Sequence, residues 1–404
     1  MLRSIVSHTR SFSLQNKLGT KKAHSLSAAQ FSTMKAQTDN FNSCPYVKAS
    51  CSRGAGIVKI ERPEALNSLN LDMVNALSEI YKNWENKHSV KMIIVKSDGR
   101  AFCSGGDVVS IYKASKNGTD LGNEFFRREY ELNYFIHTLQ LFHVAFINGI
   151  VMGGGAGISV NGHFSIATEK TVFAMPEVNI GFIPDVGGSY FLSRLKNYVG
   201  TYLALTGKTL SAYDVKKAGI ATHYVQSKNL DKIQLTLETV VSRCYNDYDH
   251  SICLFEDSKP VVPENTRCIL DEHGEMIRSV FSKNTVTEIV SALEKETSAF
   301  AKETLKSIRA ACPISVHLSL EMQRRGAEKS LAECLQMEYT VALNILKKSN
   351  FYEGVRAVLV DKTRDARWSP ARLEDVTPAM IEEYFKPTPG IPPLNLNLQR
   401  TPRY

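Results

Sequence analysis

Two carboxylic acids stand close together in the stretch MPEVNIGFIPDVGGSYFLSRL, residues 175–195. They are Glu177 and Asp185, each directly after a proline and each set among apolar residues and glycines. An ionised acid taken out of water is costly unless it is paired or hydrogen-bonded, so acids in such company have a partner or a task. If both enter one dry pocket, at least one pKa rises, which yields a base and an acid or substrate-orienting group at neutral pH. If they point apart, Asp185 caps the helix suggested by DVGGSYFLSRL.

Four glycine-marked places could supply the complementary chemistry: AFCSGGD at 101–107, MGGGAG at 152–157, NIGFIPD at 179–185 and DVGGSY at 185–190. Glycine permits unusual dihedrals and close backbone approach, so a turn can aim an amide N–H at a ligand. Two such amides on converging loops would stabilise the oxyanion that forms when a carbonyl is attacked. Ordinary turns and tight packing use the same residues. Glu129, in FFRREYELNYFIHTL, falls on a candidate amphipathic helix, where an acid is expected to pair with an Arg or Lys three or four positions away. Asp107, next to Gly106, reads equally well as a helix cap.

Other chemistries lack their letters. The glycines from Gly153 to Gly157 do not complete G-x-G-x-x-G, no G-x-x-x-x-G-K-[ST] loop occurs, and CSGGD is not the G-x-S-x-G elbow of an α/β-hydrolase. The ten histidines form no H-E-x-x-H or other compact ligand set, so no metal is expected; a metal site would need long-range convergence. His137 and His143 read as hydrogen-bonded structural residues. The eight cysteines contain no CxxC pair and read as thiols in a reducing compartment, without a disulfide framework or zinc site.

The elements that must position these residues alternate. AGIVKIE is a strand, the spacing of Leu71, Val74, Leu77 and Tyr81 is helical, and VKMIIVKS is a second strand before the glycine turn. The order returns: residues 122–142 are mainly helical, HVAFINGI is a strand, MGGGAGISV opens a short helix, and HFSIATEKTVFAM holds two short strands. Repeated units of this kind predict an α/β domain whose strands bury both faces against helices. Residues 229–255 and 285–350 read as helical, and EGVRAVLV as a short strand before a final helix.

With 404 residues the chain can bury a large core, and its 22% charged residues are ordinary for a soluble protein. Residues 1–38 carry six of the 49 basic residues and no acid, leaving 43 basic against 41 acidic residues beyond them. The net charge of +8 therefore does not mark a broad nucleic-acid face. The basic, serine-rich segment has the pattern of a mitochondrial presequence, so the expected location is the mitochondrial matrix; the other reading is a disordered basic N-terminal arm. No window reaches the run of about 18 apolar residues that a membrane span needs.

Taken together, LNSLNLDMVNAL, AFCSGGDV, NGIVMGGGAGISVNG, ATEKTVFAMPEVNIGFIPDVGGSYFLSRL, YLALTGKTLSAYDVKKAGIATH and FYEGVRAVLVDKTRDARWSP resemble the crotonase (enoyl-CoA hydratase/isomerase) superfamily over roughly residues 45–390. The resemblance implies an α/β fold, a spiral of ββα repeats with a helical C-terminal region. Composition and the change of texture after residue 228 divide the chain into a targeting segment at 1–38, a core at 45–228, which the resemblance makes acyl-CoA-binding, a mainly helical region at 229–390 and an extended tail at 391–404. The resemblance also implies that the backbone amides of Gly106, or its neighbour Gly105, and of Gly154 polarise an acyl-CoA thioester carbonyl. Hydratases of the superfamily carry one acid at the position of Gly157 and another at that of Glu177. The first is missing here, while the pattern of the superfamily's acyl-CoA hydrolases, Glu129, Glu177 and Asp185, is complete.

The implied activity is hydrolysis of a short 3-hydroxyacyl-CoA, such as 3-hydroxyisobutyryl-CoA or 3-hydroxypropionyl-CoA, in valine degradation. Glu177 would be nucleophile or general base, Asp185 would assist proton transfer, and Glu129 would hold the 3-hydroxyl or the acid network. No separate cofactor is implied, because CoA is part of the substrate and a product. Assembly into a homo-oligomer stays open. Relatives of such hydrolases also resemble components of the mitochondrial ribosomal small subunit, so a structural role there, with or without turnover, is the alternative.

Overall fold

β-Branched and aromatic runs broken by glycines build two sheets in the computed structural model, which describes residues 44–240, 242–257 and 268–402. The basic segment 1–38 lies outside the described residues. Among the described residues ten strands occur in the order β1 (Val47–Ser52), β2 (Ala55–Ile60), β3 (Met92–Ser97), β4 (Ala101–Cys103), β5 (Phe142–Ile147), β6 (Ile150–Met152), β7 (Phe164–Ala167), β8 (Val172–Ala174), β9 (Leu210–Ser211) and β10 (His223–Tyr224). The larger sheet runs β1-β2-β3-β5-β7-β10 and the smaller β4-β6-β8-β9. Apart from the antiparallel end pairs β1/β2 and β8/β9, the strands are parallel.

The repeat suggested by the sequence is explicit. A strand of the larger sheet leads within a few residues into a short strand of the smaller one, as β3 into β4, β5 into β6 and β7 into β8, and helical segments follow each pair. β5 is buried along its whole length, FHVAFI, as expected for a parallel strand covered on both faces.

The helix Leu71–Glu85 starts where the Asn70 side chain accepts from the Met73 N–H at 2.9 Å, and it buries Met73, Val74, Leu77, Ile80, Tyr81 and Trp84. Trp84 lies against Gly56 of β2 so closely that a Cβ there would strike its ring. The expected structural role of His143 holds: it is buried and its Nε2 meets the Tyr81 hydroxyl at 3.2 Å.

One expected strand is absent. The apolar run in EGVRAVLV continues the helix Ser349–Val355 as a π-helical turn, Arg356–Val360. β-Branched residues raise strand propensity only where a sheet can receive them. Here the segment is held as a helix because Gly354 packs against the Ile180 backbone and Arg356 pairs with Glu353 and Asp361 at 2.9 and 2.7 Å.

All ten strands precede residue 225, and the later helices fold back over them within one unit. The extended C-terminal segment crosses the helix Leu121–His137. Arg127 donates to the Pro392 and Pro393 carbonyls, and Arg400 grips Glu85 with two hydrogen bonds of 2.7 and 2.9 Å. Among the described residues, no helix is long and apolar enough to cross a membrane.

Candidate active site

Because β4, β6 and β8 are parallel neighbours, their carboxyl ends open on one edge of the smaller sheet. Residues 104–107 follow β4, the short helix Gly154–Gly157 follows β6, and the turn Glu177–Ile180 follows β8. Segments far apart in sequence therefore meet because the strands before them are paired.

Each glycine loop exposes an amide for a geometric reason. Leu69 pairs with the β4 loop in parallel fashion, its N–H donating to the Gly105 carbonyl and its carbonyl accepting from Asp107, so the Gly106 N–H between them points away. Gly154 begins a helix, and the first amides of a helix have no acceptor within it. Among the described residues neither amide meets an acceptor. The two loops touch: a Cβ at Gly154 would lie 3.2 Å from Gly106 N and 3.4 Å from the Gly105 carbonyl carbon. The φ of +115° at Gly105 and +45° at Gly153 are the conformations that favour glycine at these turns.

The three acids converge on the same place. Glu129, Glu177 and Asp185 are 1%, 7% and 4% exposed. Glu129 lies in the buried stripe of the helix Leu121–His137, with Phe125, Phe126 and Tyr130, and its Oε1 fills the space where a Gly154 side chain would stand. Glu177 Oε1 would be 2.8 Å from a Cβ at Gly153. Glu129 Oε1 and Glu177 Oε2 have no hydrogen-bond partner among the described residues. The surface pairing expected of Glu129 does not form; Arg128 instead pairs with Glu124 at 2.7 Å, outside the stripe.

Asp185 does not cap the next helix. Its side chain accepts from the Tyr130 hydroxyl at 2.7 Å, while only its backbone carbonyl takes the Gly188 N–H. Asp107, by contrast, accepts from the Ser110 N–H at 3.0 Å and from Arg62 at 2.9 Å, so it serves as a helix cap and ion-pair partner.

Electrostatics follow from this burial. Glu129 is held well above the usual carboxylate range by burial and then by the charge of Asp185. Glu177 is raised likewise by burial, Asp185 and Glu129. Asp185 is pushed up to about 7 by burial, against the opposing pull of the Tyr130 hydrogen bond. Near neutral pH the three share fewer than three negative charges, which is the state from which one can accept a proton and another give one.

The residues that brace Asp185 come from outside the motif. Val186 adopts a φ of +54°, an unfavourable conformation for a β-branched residue. The strain persists because neighbours fix the loop. Asn161 donates to the Val186 carbonyl at 2.9 Å, and Glu338 accepts from Gly187 N, Ser189 N and Ser189 Oγ at 2.8, 2.9 and 2.6 Å. Burial pushes Glu338 up to about 8 despite these donors. Sequence reading missed Glu338, although it stands in the apolar stripe of Leu331, Cys334, Leu335 and Ala342 on the helix Leu331–Ile345. Glu338→Ala leaves three buried donors without an acceptor, at about 1–3 kcal/mol for each unsatisfied group before relaxation. A drop of at least about 2 kcal/mol in urea unfolding, with thioester turnover reduced alongside, is expected; unchanged stability would show that the brace is dispensable.

Gly157 is sterically committed. A Cβ there would be 2.6 Å from Asn133 Nδ2 and 2.8 Å from Val186 Cβ. An acid at this position is excluded by packing as well as by sequence, and Glu129, one turn before Asn133 on the same helix, brings a carboxyl to Gly154 at the start of the short glycine helix.

The chain matches the family model described as enoyl-CoA hydratase/isomerase over residues 55–385. It is 44% identical over 335 residues to the 3-hydroxyisobutyryl-CoA hydrolase, mitochondrial, of Gallus gallus, an alignment covering 83% of this chain and 87% of that protein. It is 40% identical over 354 residues to the protein of the same name from Homo sapiens, covering 87% and 91%. Among solved structures, a carnitinyl-CoA dehydratase from Mycobacterium thermoresistibile superposes with a TM-score of 0.79 at 35% identity, covering 88% of this chain and 99% of that one. An enoyl-CoA hydratase from Rhodobacter sphaeroides 2.4.1 gives 0.75 at 29% identity, covering 85% and 97%. With the two-sheet ββα spiral and converging glycine loops, these matches establish that the chain belongs to the enoyl-CoA hydratase/isomerase family, the crotonase superfamily.

Proposed function

We propose that this protein hydrolyses the thioester of 3-hydroxyisobutyryl-CoA, or a close short 3-hydroxyacyl-CoA, to the free hydroxy acid and CoA. The observation that carries the choice of hydrolysis over C=C hydration is the packing of Gly157 against Asn133 and Val186, which leaves no room for a hydratase's first acid. In its place stand Glu129, Glu177 and Asp185, buried beside two unengaged amides. The relatives named as hydrolases support the same reading and the same substrate.

The thioester oxygen accepts hydrogen bonds from Gly106 N and Gly154 N, which grow stronger as negative charge moves onto it. Glu177 takes a proton from water as its oxygen bonds to the carbonyl carbon, or attacks that carbon itself to form an anhydride that water then opens. The C–S bond breaks, and the CoA thiolate leaves with a proton returned through the Asp185–Glu177 pair. Glu129, whose pKa burial and the charge of Asp185 hold well above the usual carboxylate range, hydrogen-bonds the substrate's 3-hydroxyl or the acid network. No redox group or metal is needed for this balance.

The names of the relatives and the basic, acid-free segment 1–38 support a mitochondrial, matrix setting. Further copies of the chain are compatible partners. A purely structural role in the mitochondrial ribosomal small subunit gives no account of three buried acids, two with oxygens lacking a partner among the described residues, which are costly to keep for packing alone.

Free CoA released from 3-hydroxyisobutyryl-CoA, 3-hydroxypropionyl-CoA and isobutyryl-CoA tests the assignment. The two hydroxylated substrates should exceed isobutyryl-CoA in kcat/KM by at least about tenfold, the scale of one buried hydrogen bond lost; equal rates would remove the role of the 3-hydroxyl. The pH profile supplies a second expectation. Glu177 must be ionised to act, and its pKa is raised, so kcat/KM should fall on the acid side at a pH well above 4.5. Asp185→Asn removes a charge that raises Glu177 and should move the residual acid limb to lower pH. An acid limb at the ordinary carboxylate value in the parent protein contradicts the shared-proton cluster.

A further inference from the structure

β10 forms one edge of the larger sheet, and the helix Tyr245–Cys253 packs beside it, anchored by the buried Tyr248 and Ile252. Three potential ligands meet between them. His223 Nε2 lies 3.4 Å from Asp249 Oδ1 and 3.5 Å from Cys253 Sγ, and Cys253 Sγ lies 4.0 Å from Asp249 Oδ2. Asp249 and Cys253 are four residues apart on one helical face, and the imidazole is buried.

The hydrogen bonds around the ring fix which nitrogen faces the other two groups. The Thr222 hydroxyl has a single proton, which it donates to the Ser165 carbonyl at 3.0 Å. With the hydroxyl proton assigned to that carbonyl, its 2.9 Å contact with His223 Nδ1 is donated by the ring. In the neutral imidazole, Nε2 is then a bare lone pair aimed at a carboxylate and a sulfur. A lone pair and a carboxylate oxygen at 3.4 Å repel unless a positive charge lies between them, which a proton on Nε2 or a bound cation supplies.

This is not the layout of a nucleophilic triad. There the acid holds one ring nitrogen and the nucleophile meets the other; here Asp249 and Cys253 both approach Nε2 and Thr222 holds Nδ1. The separations from His223 Nε2, 3.4 and 3.5 Å, are instead those of ligand pairs on one tetrahedral ion, while Cys253 Sγ to the other Asp249 oxygen, Oδ2, is wider at 4.0 Å. Bonds of about 2.0–2.3 Å to zinc place tetrahedral ligands about 3.3–3.8 Å apart. Imidazole, thiolate and carboxylate are zinc's ligand types, and a neutral His, a thiolate and a carboxylate balance its two charges. The Thr222 contact orients the ligating ring as outer-shell partners do. Cys253 is exposed, which gives an ion a path in and leaves the fourth position to water. The nearby Lys216 is offset by Glu256, 3.6 Å away.

We propose that His223, Asp249 and Cys253 bind a zinc ion that ties the helix Tyr245–Cys253 to the edge strand β10. The site is unrelated to the acids of the thioester reaction and would be structural or regulatory.

The test uses the full chain, reduced and stripped of metal with a chelator, then titrated with Zn²⁺ against a chromogenic zinc chelator and separately with Co²⁺. One equivalent should bind, with thiolate-to-cobalt charge-transfer absorption. Cys253→Ser should abolish that absorption, and Cys253→Ser and Asp249→Asn should each weaken zinc binding at least about tenfold, since ligand loss exceeds the effect of losing an outer-shell contact. Cys244→Ser, at an exposed cysteine preceding the same helix, should change neither. No stoichiometric uptake by the folded parent, or uptake unaltered by Cys253→Ser, would overturn the proposal.

Discussion

Glu177→Gln should lose thioester turnover by about 1,000-fold, near 4 kcal/mol of transition-state stabilisation, while keeping its fold. The amide is nearly isosteric with the acid but can neither accept a proton from water nor form an anhydride. The substitution removes a carboxyl whose ionisation burial, Asp185 and Glu129 all oppose, and Glu177 Oε2 has no hydrogen-bond partner among the described residues to lose. The urea midpoint of the variant should therefore equal or exceed that of the parent, the usual relation where a catalytic group is held against its own solvation. Residual turnover within tenfold of the parent would move the reaction to another acid. An unfolded variant would show that Glu177 serves the packing.

Gly154→Ala should cost about 100- to 1,000-fold in kcat, the range for removing one oxyanion donor. The added methyl does not delete the amide. It would collide with Glu129 Oε1 and stand 3.2 Å from Gly106 N, in the space a thioester oxygen must enter to reach both donors. One substitution thus disturbs both amides and the position of Glu129. Gly274→Ala is the matched control: it lies within the helix Ile269–Phe281 with nothing within 4 Å of the new methyl, and helix propensity favours alanine there by about 1 kcal/mol. Comparable losses in both variants would dissolve the argument from geometry.

The ββα repeats were legible because strand and helix periods are local. So was the convergence of the glycine loops, given the family pattern, because each follows a short strand. The environment of Glu129 was not. Its neighbours three and four positions away are Phe125, Phe126, Leu132 and Asn133, with no base among them, a signal the general expectation of surface pairing overlooked, and the helix turns it inward with Phe125 and Tyr130. Glu338 was missed because it braces a loop some 150 positions earlier in the chain, a contact that no local period encodes. The run VRAVLV misled because strand propensity presupposes a sheet edge, and the close approach of Gly354 to Ile180 commits the segment to a helix. His223 lies 26 residues before Asp249, so the only local trace of their meeting was the i,i+4 spacing of Asp249 and Cys253.

One assay separates hydrolysis from the chemistry of the hydratases that share the fold. Purified protein is given 3-hydroxyisobutyryl-CoA, and free thiol is followed together with absorbance of the α,β-unsaturated thioester that dehydration would form. Stoichiometric release of CoA, with no unsaturated thioester at any time, is the expected result. Accumulation of the unsaturated thioester without free CoA would contradict it, and would mean that Glu177 works on the C–O bond of the substrate and not on its thioester.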